Sequence, residues 1–146
     1  MRVERSSGAA PPPHAGGSVS NGPVALTVRI EDSPDGTAVV AIAGELDLST
    51  IPRMQGPLFE QIAQRPAVLV DLTGLCFIDS SGIGCLIQAC QGANGTPVNI
   101  LIGPGSQIDR IFSIAGVSAA MPVFTDRMEA LAELAARLGA NTAAVD

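Results

Sequence analysis

Apolar and polar positions alternate from the twenty-fourth residue onward. Val24, Leu26, Val28 and Ile30 interleave with Ala25, Thr27 and Arg29, the two-residue period of a half-buried strand. Ser33-Pro34-Asp35-Gly36 follows, with Pro at the second and Gly at the fourth place of a type I turn. Ala38 to Ala43 then reads as a second strand, paired with the first as a hairpin, and Gly44-Glu45-Leu46-Asp47 leaves it as a loop. Ser49 or Thr50 can cap a helix whose first turn accommodates Pro52. Ile51, Met54, Leu58 and Ile62 give that helix its apolar face. Gly56-Pro57 falls inside it, and proline removes a helical donor and crowds the turn before it, so a kink or restart is expected there.

Ala67-Val68-Leu69-Val70-Asp71-Leu72 is nearly continuous in apolar character, as suits a strand buried on both faces. Beyond Cys76-Phe77-Ile78 and Asp79-Ser80-Ser81-Gly82, residues Ile83, Leu86, Ile87 and Cys90 return to helical spacing. Val98 to Ile102 predicts another strand. Ile108, Ile111, Phe112 and Ala115 predict a helix that Gly116 stops. Pro122-Val123-Phe124 is a short strand, suited to an edge or a strand start. Thr125 caps a last helix carrying Leu131, Leu134, Ala135 and Leu138, which Gly139 ends. The predicted order is β-β-α-β-α-β-α-β-α: an α/β fold with a mixed sheet of about five strands and four helices, mostly parallel after the opening hairpin.

Residues 1–22, dominated by Gly, Ser, Pro and Ala around Pro11-Pro12-Pro13, cannot bury enough apolar surface to offset their ordering entropy. They are expected to form a disordered extension, with one domain over 23–139 and a flexible tail over 140–146. A chain of 146 residues suffices for a single domain that buries about two-thirds of its unfolded surface. No apolar leader or membrane-length apolar run is read in it.

Composition then removes function classes. The formal net charge is −6, and the eight basic residues are all Arg, scattered without a patch, so nucleic acid is not an expected partner. Without lysine there is neither a Schiff-base amine nor a P-loop lysine. The one histidine, His14, lies in the extension, far along the chain from any candidate nucleophile, which argues against Ser-His and Cys-His chemistry. Asp71 and Asp79 at strand ends are better read as solvated or capping groups than as an acid–base pair. Cys76, Cys85 and Cys90 have neither a CxxC spacing nor a nearby His, so no metal or disulfide framework is expected. Each sits in an apolar run as a small hydrophobe, in keeping with a reducing, cytoplasmic setting. Gly82-Ile83-Gly84 and Gly103-Pro104-Gly105 fail the G-x-G-x-x-G pattern at Ile87 and Ile108. Asn94-Gly95-Thr96 matches a glycosylation acceptor that such a setting leaves unused. No catalytic residue, cofactor or metal is assigned, and a binding protein is expected rather than an enzyme.

Asp79-Ser80-Ser81-Gly82-Ile83-Gly84 carries the chemistry that remains. Ser80 or Ser81 can serve purely as a helix cap, with the glycines there for backbone freedom and packing. A phosphate on Ser80 would instead add about −1.5 to −2 charges at a helix start. The positive end of the helix dipole would offset part of it, by roughly 0.3–1 kcal/mol. With Asp79 alongside, an acidic or apolar partner surface would be repelled while the fold stayed intact.

Ile42-Ala43-Gly44-Glu45-Leu46-Asp47 and Asp79-Ser80-Ser81-Gly82-Ile83-Gly84 resemble the two signature segments of anti-sigma factor antagonists, the single-domain STAS proteins of bacteria. The order of elements over about 24–138 is similar as well. The resemblance implies a phosphoprotein of transcription regulation in which Ser80 is phosphorylated by an anti-sigma factor serine/threonine kinase. It implies that the unphosphorylated form binds that kinase and releases a sigma factor, with a phosphatase acting on phospho-Ser80. Asp47, Asp79, Ser81 and Gly82 would face the partner. A domain of the same fold that binds a small molecule or anion at the helix start near Ser81 and Gly82, or one that serves as a scaffold in a signalling complex, is the alternative reading.

Overall fold

The structure is a computed structural model, describing the backbone of residues 3–5 and 25–145 and the side chains of residues 25–139. The strand periodicity materialises as β2 (Thr27–Asp32) and β3 (Ala38–Leu46), antiparallel and joined by a turn in which Gly36 N–H donates to Ser33 O at 3.0 Å. The apolar helical stripes become α1 (Ile51–Gln64), α2 (Ser80–Gln91), α3 (Gln107–Ala115) and α4 (Arg127–Val145). Between them run β4 (Val68–Ile78), β5 (Val98–Leu101) and β6 (Val123–Phe124). From β3 to β6 the sheet is parallel, and its spatial order follows the sequence.

A further strand, β1 (Val3–Arg5), pairs in parallel with β2 at the sheet edge. It lies within the stretch expected to be a disordered extension; the remainder of that stretch, His14 included, is outside the described residues, as is Val24 of the first predicted strand.

Two apolar layers sandwich the sheet. On one face Val28, Val40, Ile42, Val70 and Ile100 pack with Met54, Leu58, Leu86 and Phe112 from α1, α2 and α3. On the other, Val39, Leu69 and Leu101 meet Ala130 and Leu134 of α4 alone. Asn99, fully buried in β5, ties α4 down: its amide donates to Ala130 O at 3.0 Å and to Glu133 Oε1 at 2.8 Å, and Arg137 donates to its Oδ1. A buried amide left without these partners would cost about 1–3 kcal/mol, so the network fixes where the helix sits.

Several local expectations are corrected. Helix α1 is continuous through Gly56-Pro57; Pro57 is buried together with Met54, Leu58 and Ile62, so packing of the apolar face holds the helix despite the lost donor. Strand β3 extends to Leu46 rather than ending at Ala43. Asp126, not Thr125, starts α4, accepting from Glu129 N–H at 3.1 Å. Gly139 does not end that helix, which continues to Val145. Of the cysteines, Cys85 is buried and Cys90 half-buried, but Cys76 is exposed. Burial pushes the Cys85 thiol up, against a smaller lowering by Gln55, and pushes Cys90 up to about 11 against a smaller opposing pull from Arg137, which keeps both protonated at neutral pH.

Candidate functional site

Strands β3 and β4 run parallel with Leu46 opposite Ile78, so the chain leaves both at the same edge of the sheet. That shared exit brings the two signature segments together. A register shift between Gly44 and Glu45 re-aims the end of β3. Gly44 sits there at φ +107°, with a Cβ position only 2.2 Å from Ala25 O, so no side chain fits. Asp79 N–H then donates to Leu46 O at 3.2 Å, tying the start of α2 to the end of β3.

The loop after β3 is held by its own side chains. Asp47 Oδ1 accepts from Ser49 N–H (2.9 Å), Ser49 Oγ (2.7 Å) and Thr50 N–H (3.2 Å). Thr50 Oγ1 accepts from Asp47 N–H at 3.0 Å and donates to Glu45 O at 2.8 Å. Thr50 takes the N-cap position of α1, as expected of Ser49 or Thr50, but its hydroxyl turns back to the strand and makes no cap bond to the helix; the Asp47 carboxylate closes the turn before it. The Ser49 hydroxyl above all, with the backbone N–H groups of Ser49 and Thr50 and the Thr50 hydroxyl, holds the Asp47 carboxyl below its ordinary value, against an opposing push from desolvation.

At the start of α2 the cap is Asp79, not Ser80 or Ser81. Asp79 has extended backbone and its Oδ1 accepts from Gly82 N–H at 3.0 Å. A residue must be outside the helix to cap it, and Ser80 and Ser81 are already its first two residues. Ser80 is exposed, and no hydrogen bond among the described residues engages its hydroxyl. Ser81 is half-buried. Gly82 is buried; a Cβ on it would lie 2.9 Å from Ile78 Cγ1, 2.9 Å from Leu46 Cγ and 3.0 Å from Leu46 O. Its contribution is to let α2 begin this close to β3, rather than to present a surface.

One edge thus gathers Asp47, Asp79, Ser80 and Ser81 with Gly82 beneath them. Two exposed apolar residues that sequence reasoning missed accompany them: Leu48, 74% exposed in the Asp47 loop, and Phe77, 38% exposed at the end of β4. Alternation could not reveal Leu48, because it sits in a turn where neighbouring residues have no fixed facing. Among the described residues there is no cluster of three or more His, Cys, Asp or Glu able to hold a metal, and no helix is long and apolar enough to cross a membrane. A groove of about 490 Å³, lined by Phe59, Ala63, Gln88, Ala89 and Asn94, lies at the C-terminal ends of α1 and α2, a helix length from Ser80.

A mixed sheet with three helices on one face and one on the other, and an exposed serine at the first position of a helix, defines the class of protein as a small mixed-sheet α/β domain. The STAS domain model matches residues 29–130, and the chain belongs to that family. It is 27% identical over 110 residues to the anti-sigma-F factor antagonist RsfB of Mycobacterium tuberculosis, spanning 75% of this chain and 89% of that one. It is 25% identical over 95 residues to the anti-sigma-B factor antagonist of Listeria monocytogenes, spanning 64% and 83%. Among solved structures, an anti-sigma factor antagonist from Mycobacterium paratuberculosis superposes with a TM-score of 0.68 at 24% identity, covering 75% of this chain and 94% of that one. The antagonist SpoIIAA in its unphosphorylated form gives 0.54 at 22%, covering 70% and 91%. These structural likenesses establish the SpoIIAA-like fold.

Proposed function

We propose that this chain is a cytoplasmic anti-sigma factor antagonist. Its unphosphorylated form binds an anti-sigma factor that is also a serine/threonine kinase, and so releases a sigma factor for transcription. Phosphorylation of Ser80 switches the binding off, and a phosphatase restores it. The observation that carries this reading is the exposed Ser80 hydroxyl on a locked edge, next to Asp79 and the Asp47 loop. The names of the relatives, antagonists of anti-sigma factors, point the same way.

The switch acts through charge. A kinase that phosphorylates Ser80 holds a nucleotide's terminal phosphate against that hydroxyl. After transfer, a serine phosphate carrying about −1.5 to −2 charges faces the diphosphate left behind, and like charges at close range repel. The fold tolerates the group, because Ser80 is exposed and the backbone around it is held by Asp79 and Leu46. Asp47, Asp79 and Ser81 supply the partner face. Gly82 acts from beneath.

One point weighs against the ligand-binding alternative: Gly82 N–H, one of the donors an anion would use at the start of α2, is already taken by Asp79.

A binding measurement with purified anti-sigma factor kinases from the same cell tests the proposal. Ser80→Ala should bind as the unmodified chain does, and Ser80→Asp should bind measurably more weakly. A fully phosphorylated preparation should bind weakest, because Asp carries only part of the phosphate charge. Equal affinity of the phosphorylated and unmodified forms would sink the switch.

A further inference from the structure

The partner edge has an apolar component that the serine chemistry does not use. Leu48 is 74% exposed. A lone exposed leucine needs no explanation by itself, but this one is held out rather than left loose. Its neighbours are held by hydrogen bonds: Asp47 Oδ1 accepts from Ser49 and Thr50, and Thr50 bridges back to Asp47 N–H and Glu45 O. Asp47 O also accepts from Thr50 N–H and Ile51 N–H, both at 3.0 Å, so the whole turn is closed onto the start of α1. The turn is in turn joined to the Ser80 helix through the bond from Asp79 N–H to Leu46 O and the close seat of Gly82 on Leu46. Leu48 and Ser80 therefore project from one rigid platform. The side chains of comparable exposure, Ile114 and Met128, lie on α3 and α4.

Rigid projection matters because ordering a side chain or loop on binding costs about 0.5–1.5 kcal/mol per immobilised side chain, and a pre-ordered turn avoids part of that. Immediately beside Leu48 stands the Asp47 carboxylate, kept ionised by its hydrogen bonds. An apolar side chain flanked by a fixed negative charge is complementary to an apolar pocket with a basic rim.

We propose that Leu48 is the apolar anchor of the interface, inserted into a pocket on the anti-sigma factor that is apolar inside and rimmed by Arg or Lys facing Asp47. The inference rests on the antagonist reading above and adds the residue that sets which anti-sigma factor is chosen. Recognition through Leu48 is separate from the switch at Ser80: one end of the face selects the partner, the other reports phosphorylation.

Titration calorimetry of the unphosphorylated full chain into each purified anti-sigma factor kinase of the same cell, with ADP present, tests it. The unmodified chain should bind one of them. Leu48→Ser should weaken that binding about tenfold or more, the scale expected for losing one buried leucine side chain, mainly through faster dissociation. Leu48→Met should stay within about threefold, since it keeps the volume and apolar character. Both variants should unfold at the same temperature as the unmodified chain, because Leu48 is exposed. Rising salt should weaken the unmodified complex, as a basic rim requires. Leu48→Ser binding as tightly as the unmodified chain would overturn the anchor and leave the Ser80 reading standing. Salt-independent affinity would overturn the basic rim. Failure of the unmodified chain to bind any of the kinases would overturn both readings together.

Discussion

At the start of α2 an aspartate does what a hydroxyl residue was expected to do. Asp79 accepts the helical Gly82 N–H, while Asp47 accepts the N–H groups of Ser49 and Thr50 in the turn before α1, and both are better acceptors than a hydroxyl because they are charged. This leaves Ser80 without a structural task and therefore available for chemistry. The Asp47 carboxyl, held down chiefly by the Ser49 hydroxyl, should titrate below its ordinary 3.8 in a carbon-detected NMR titration. The sign for stability follows: a group whose pKa is lower in the folded chain adds stability above its unfolded pKa, and that contribution is lost as pH falls through the folded value. Ser49→Ala should move the midpoint back up, and a midpoint above 3.8 in the unmodified chain would contradict the bonding described. The identity of the caps was not legible in the sequence. Asp79, Ser80 and Ser81 are all good caps in composition, and only the extended backbone at Asp79 decides among them.

At the scale of elements, glycine separates positions that look alike in the sequence. Gly82 and Gly84 both lie in α2, yet a Cβ at Gly82 would press on Leu46 and Ile78 at 2.9 Å, while nothing beyond the helix's own backbone and chain neighbours lies within 4 Å of one at Gly84. Gly84→Ala should raise stability by about 0.5–1 kcal/mol through helix propensity. Gly82→Ala should lower it by about 1–3 kcal/mol, because Leu46 O is backbone and cannot move aside. Denaturant midpoints measure both, and a gain at Gly82 would mean that the start of α2 is less tightly seated than the geometry requires. The elements themselves were readable wherever one residue period ran for several turns, as with Ile83, Leu86, Ile87 and Cys90. They were misread where burial overrode a local signal. Pro57 did not break α1, because it is packed in the core. The bond from Asn99 to α4 was invisible for a different reason: a single polar residue in an apolar strand carries no mark of what lies across from it.

For the whole molecule, the parallel pairing of β3 and β4 is what turns two sequence segments into one face. Over thirty residues of chain separate Asp47 from Ser80, and register alone, Leu46 against Ile78, brings their loops together. Alternating strands and helices made the parallel sheet legible, and the two motifs were legible as segments. The exposed leucine between them was not, since which turn residue points outward depends on the hydrogen bonds that close the turn. A locked platform also means that phosphorylation should act through charge at the edge rather than by refolding the domain.

The most direct measurement is phosphate mapping by peptide mass spectrometry after incubating the purified chain with ATP and the anti-sigma factor kinases of the same cell, with Ser80→Ala and Ser81→Ala alongside. Phosphate on Ser80, absent only in Ser80→Ala and accompanied by release of the kinase, is the predicted result. Phosphate on Ser81 or elsewhere, or none with any of the kinases, would contradict the claim that Ser80 is the switch.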